Sequence, residues 1–217
     1  MLKIKAATAL LGSLILGLTA ASATSISAEP EKGVKAGDKA PAFTLTDTKG
    51  NKHNLQSYLD EGKIVVLEWF NPDCPFVQKH HLRFKTMEET AAKAKEMGAV
   101  WIAINSGGPG LQGAGVERNT KAIEDFGIKF PVLLDETGEV GLSYGAIVTP
   151  HMYIITPDGI VAYQGAIDNN RSARTLGDTN YVLQALKEIK AGETVSEPNT
   201  KPYGCGVKYA KPSRGGA

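Results

Sequence analysis

Cysteine is scarce in this chain: Cys74 and Cys205 are the only two. Two thiols cannot build a disulfide-dense scaffold, so the fold has to rest on an ordinary hydrophobic core. Net charge is equally scarce. The 217 residues carry 24 Lys and Arg against 23 Asp and Glu, a formal +1. That balance excludes the one-signed field of a nucleic-acid binder. The apolar run over residues 6–20 is shorter than the roughly 20 residues a bilayer span needs, so no stable membrane anchor is expected. The Gly-rich stretch 106–115 lacks the Gly-Lys-Ser/Thr ending of a phosphate loop and is interrupted by Pro109, so it reads as a plain loop.

What is present begins with an address. Lys3 and Lys5 precede the apolar run, and Ala21-Ser22-Ala23 follows it. This is the pattern of a cleaved export signal over residues 1–28, cut after Ala23 or Ala28. It predicts a periplasmic or secreted protein in an oxidising compartment. The whole chain is 42% hydrophobic and 22% charged, ordinary for a globular protein.

Periodicity then gives an order of elements. A hairpin is expected around the turn 47–51, a short helix over 55–59 and a buried strand over 64–70. A long helix should follow Cys74 to about Met97, with Val77, His80, Phe84, Met87, Ala91 and Ala94 inward and Lys79 among the polar side chains opposite. Strands are expected over 99–105, 131–134, 151–155 and 160–166. The last two are joined by the Pro157-Asp158-Gly159 turn, and helices run over 116–126, 140–144 and 180–191. Alternating strands and helices predict an α/β fold with one central mixed sheet covered on both faces. The folded domain spans 36–191, and 192–217 is an irregular tail that carries Cys205.

Cys74 sits where the strand 64–70 hands over to the helix, with Pro75 at the first helical position. Free backbone N–H groups and the helix dipole favour a sulfur anion there. Ligands of open α/β sheets gather at the same carboxyl ends of the strands. Cys74 therefore reads as a redox nucleophile. The residues alone leave another reading open, a structural bridge to Cys205.

The run Trp69-Phe70-Asn71-Pro72-Asp73-Cys74-Pro75-Phe76-Val77, the later Tyr144-Gly145 and Thr149-Pro150, the Pro157-Asp158-Gly159 hairpin and the tail Pro202-Tyr203-Gly204-Cys205 together resemble a thioredoxin-fold protein. The resemblance is to the redoxin group, also called the alkyl hydroperoxide reductase/thiol-specific antioxidant family, in its peroxiredoxin-like branch. It implies a thioredoxin-like fold and an exported thiol-dependent oxidoreductase with antioxidant activity. A peroxide or disulfide would be the substrate and a thioredoxin-like protein or small thiol the reductant, with no metal or prosthetic group. Two departures stand out. Thioredoxins carry a second cysteine where this chain has Val77, and typical peroxiredoxins carry Thr and Pro where it has Asn71 and Leu67.

The resemblance implies roles. Cys74 would be oxidised to a sulfenic acid that Cys205 resolves. Pro150 would be the cis-proline facing the cysteine, with His151 beside it as thiolate stabiliser or base. Asn71 would hydrogen-bond a bound oxygen, and Arg171, ahead of Arg174, would approach the sulfur. The alternative activities are a thiol-disulfide exchange protein using Cys74 and Cys205, or a copper-carrying module. His80 and His81 do not extend a metal site to Cys74, since the helical rise sets them about 10 Å along the axis. Glu68 is expected at a sheet margin facing outward, with a buried proton relay as the other reading.

Overall fold

The computed structural model describes residues 33–211, so the export-signal expectation over residues 1–28 lies outside the described residues. Seven strands form one mixed sheet: β1 (Thr44–Asp47), β2 (Lys52–Asn54), β3 (Val65–Trp69), β4 (Val100–Asn105), β5 (Val132–Leu134), β7 (His151–Ile155) and β8 (Val161–Gly165). Their order is β2-β1-β5-β4-β3-β7-β8. The hairpin β1–β2 extends the sheet by pairing antiparallel with β5. β3 lies centrally, parallel to β4 and antiparallel to β7.

All five β3 side chains are buried, because helices cover both faces. Val65, Leu67 and Trp69 pack with Tyr153, Ile155, Ile102 and Ile104 beneath α1 (Leu55–Asp60) and α5 (Glu139–Tyr144). Val66 faces the other side with Met152 and Ile154, beneath α3 (Thr86–Glu96) and α6 (Tyr181–Ala191). α4 (Val116–Phe126) covers β5 on this second side through Ala122 and Phe126.

The expected single helix from Cys74 to Met97 is a correction. It is three pieces: α2 (Pro75–Gln78), a π turn over Lys79–Arg83, and α3. Lys85 adopts left-handed φ of 55°, which no continuous helix accommodates. The wide turn buries three consecutive polar residues, Lys79, His80 and His81. Lys79, expected on the polar side, is 1% exposed because partners from distant segments meet its ammonium group.

The tail is also more ordered than its composition suggests. Its β9 (Cys205–Gly206) pairs antiparallel with β6 (Val148–Thr149) in a separate two-stranded sheet.

Candidate functional site

The site lies where β3, α2 and the loop before β7 converge. Asn71 folds the approach. Its side-chain oxygen accepts from the Asp73 N–H at 2.9 Å, while its amide donates to the Gln112 carbonyl at 3.0 Å. Gly113 must be glycine for this packing, since its φ is +78° and a Cβ there would fall 2.1 Å from Asn71 Oδ1. The Cys74 N–H then bonds the Asn71 carbonyl at 3.1 Å, and Pro75 starts α2. No side chain caps α2, whose first residue, Pro75, has no N–H to satisfy.

Cys74 is 2% exposed and donates its thiol hydrogen to the Thr149 carbonyl at 3.0 Å. The Thr149–Pro150 peptide is cis. Cys205 is the register partner of Thr149 and packs into the apolar cluster of Phe70, Cys74 and Val77. The two cysteines, both free thiols, thus lie together at the Thr-Pro bend. The Cys205 thiol is pushed up to about 12 by burial, then by its hydrogen bond to Cys74 and by negative charge on Cys74. Cys205 therefore holds its proton.

Several residues lie elsewhere than their expected roles require. Asn71 has both ends of its amide engaged in shaping the loop, so it is not a free donor for a bound oxygen. His151 is 3% exposed, and its ring nitrogens meet Gln164 Oε1 at 3.0 Å and the Tyr153 hydroxyl at 3.2 Å. Burial pulls it down to about 4. A neutral imidazole with both nitrogens occupied supplies neither a positive charge nor a base. Arg171 is exposed and pairs with no carboxylate among the described residues. Arg118 of α4 instead donates from Nη2 and Nε to Oδ1 of Asp73, the residue before Cys74, at 2.6 and 2.9 Å. Nothing local in the sequence pointed to Arg118, because its partner lies on a different loop.

Glu68, expected at a margin, is fully buried. Its oxygens accept from His81 Nε2 at 2.7 Å and Trp101 Nε1 at 3.1 Å, and His81 Nδ1 reaches Glu88 at 2.7 Å. Burial alone would pull His81 down, but Glu68 and Glu88 outweigh it and lift His81 to about 9. His81 is an imidazolium bridging two carboxylates. Among the described residues no group of three or more His, Cys, Asp or Glu could hold a metal ion.

A thioredoxin-like sheet with a cysteine at the β3–α2 junction opposite a cis-proline defines the class. Residues 35–183 match the redoxin family. The chain belongs to the redoxin family of thioredoxin-fold oxidoreductases. The thiol-disulfide oxidoreductase ResA of Bacillus thuringiensis subsp. konkukian is 30% identical over 131 residues, 60% of this chain and 69% of that protein. ResA of Geobacillus kaustophilus is 33% identical over 128 residues, 59% and 67% respectively. An uncharacterized conserved protein of Geobacillus kaustophilus superposes with a TM-score of 0.72 at 31% identity, over 82% of this chain and 93% of that one. A peroxidoxin, BcpB of Mycobacterium tuberculosis, shares the fold at 20% identity and a TM-score of 0.52, over 71% and 97%. The family match contains Cys74 and ends before Cys205.

Proposed function

We propose that the chain is an exported thiol-disulfide oxidoreductase whose redox pair is Cys74 and Cys205. The observation that carries this reading is the pairing of Cys205 with Thr149, which sets the tail thiol against Cys74. It supplies the second sulfur that Val77 does not. The similarity to ResA supports exchange between thiols and disulfides as the chemistry.

The cycle balances as follows. Cys74, as thiolate, attacks one sulfur of an incoming disulfide; a mixed disulfide forms, and the other half leaves and takes up a proton. Once Cys74 is neutral, its charge and its hydrogen bond no longer hold the Cys205 proton, so only burial still raises Cys205. Cys205 then loses its proton and attacks the Cys74 sulfur, and the second half of the substrate leaves as a thiol. Two electrons and two protons have passed to the substrate. A thiol reductant, a thioredoxin-like protein or a small thiol, restores the pair. A peroxide could enter the same cycle by oxidising Cys74 to a sulfenic acid. The engaged Asn71 amide leaves it without the expected donor, so disulfides are the proposed substrates.

The test is insulin reduction beside hydrogen peroxide consumption in wild type, Cys74→Ser and Cys205→Ser. Disulfide reduction should disappear in both variants, with a mixed disulfide accumulating in Cys205→Ser. Full turnover in Cys205→Ser, or peroxide consumption outpacing disulfide reduction, would contradict the proposal.

A further inference from the structure

Among residues 192–211, Tyr203 is the one fully buried side chain, at 4% exposure, two positions before Cys205. Its hydroxyl donates to Asp168 Oδ1. The Tyr203 phenol oxygen also meets Lys79 Nζ at 3.2 Å and His80 Nε2 at 3.0 Å. A phenol offers one hydrogen and two lone pairs, so all three are used. His80 must then carry its proton on Nε2, which leaves Nδ1 as a buried acceptor with no partner among the described residues. Lys79 Nζ also donates to the Asn170 carbonyl at 2.8 Å and approaches Asp168 Oδ2 at 3.4 Å. Asp168 is further held by the Asn170 and Gly177 N–H groups at 3.0 and 2.8 Å. The Phe76 ring packs against Tyr203 with centroids 5.8 Å apart.

The partners come from informative places. Lys79 and His80 belong to the π turn directly following α2, the helix that begins at Cys74. Asp168 comes from the loop after β8. The segment that presents the nucleophile thus also grips the tail that presents the second thiol. Beyond Tyr203 the tail backbone lies flat on the Thr149–Pro150 bend. A Cβ on Gly204, whose φ is +149°, would fall 2.0 Å from the Thr149 carbonyl oxygen.

We propose that Tyr203 is the positioning residue of the redox pair, docked by Asp168, Lys79 and His80 so that Cys205 meets Cys74. This rests on the functional reading above and deepens it. Without the dock, Cys205 is a thiol on a long flexible segment, and its effective concentration at Cys74 falls. The first attack by Cys74 on an outside disulfide does not need the dock. Closure of the Cys74–Cys205 bond does.

The experiment equilibrates the full chain with mixtures of reduced and oxidised glutathione and measures the fraction carrying the Cys74–Cys205 bond. In closure the two thiols give two electrons and two protons to oxidised glutathione, which becomes two thiols. Tyr203→Phe keeps the ring and loses the hydroxyl, and the closure constant should fall about tenfold or more. The rate of mixed-disulfide formation at Cys74 should not fall. Gly204→Ala keeps the Tyr203 hydroxyl and its three partners, sets a Cβ against the Thr149 carbonyl oxygen under the tail, and should lower the same constant. Cooperative melts of both variants verify folding. If wild type closes and both folded variants close with its constant, the positioning role is overturned while the redox pair stands. If wild type never forms the bond at any glutathione ratio, the functional reading fails and this inference with it.

Discussion

His80 and His81 are neighbours in one π turn, both fully buried, yet one is neutral and the other charged. His81 lies between Glu68 and Glu88 and is raised to about 9. His80 is lowered to about 3, chiefly by burial and then by the Lys79 charge. Burial is common to both, so the neighbours decide the charge. The two clusters also serve different parts. Glu68–His81–Glu88, with Trp101, ties the π turn and α3 to the central sheet. Lys79–His80–Asp168–Tyr203 ties the same turn to the tail. One turn therefore anchors its cysteine-bearing helix to the central sheet on one side and to the C-terminal tail on the other.

The largest effect should come from breaking the sheet side. Glu68→Ala leaves a buried imidazolium without its main counter-charge and should cost about 3–5 kcal/mol in urea denaturation. An unchanged midpoint would mean that His81 is neutral.

The pH profile sharpens the contrast. A raised His81 contributes stability fully present below about 6.5 and lost as pH rises through about 9. The lowered His80 and His151 act with the opposite sign: their contribution is present above about 6.5 and lost as pH falls toward about 3 and 4. The thermal midpoint of His81→Asn should therefore lack the alkaline decline while keeping the acid one.

A smaller cost is expected on the tail side. Tyr203→Phe should cost about 1–3 kcal/mol in the same denaturation experiment, since it leaves buried polar partners unmet. Its effect on thiol closure should exceed its effect on folding. At the small end, Lys121→Ala breaks only the exposed pair with Asp125 and should change stability by about 0.5 kcal/mol or less.

The sequence carried most of the architecture, because helices and strands here follow clean periods. The reading of residues 116–126 as a helix matches α4, and the antiparallel pair across Pro157-Asp158-Gly159 matches β7–β8. The π turn was illegible because a strict 3.6-residue stripe puts Lys79 on the wet side. Only Asp168, Asn170 and Tyr203, far along the chain, make its burial tolerable. Glu68 failed for the same reason, since a charged residue in a strand looks marginal until His81 and Trp101 are in place. In the site, Cys74 was marked by its strand-to-helix junction and Pro75. The docking of Cys205 depends on two-residue strands, β6 and β9, too short to leave a pattern. One signal was there to read: two large aromatics, Tyr203 and Tyr209, inside a tail otherwise rich in polar residues and Gly.

The most direct measurement is peptide mapping of the native chain after one equivalent of oxidised glutathione, with free thiols alkylated at the quench. The account predicts a linked Cys74–Cys205 peptide as the main product. Stable glutathione on Cys74, with Cys205 fully alkylated, would contradict it.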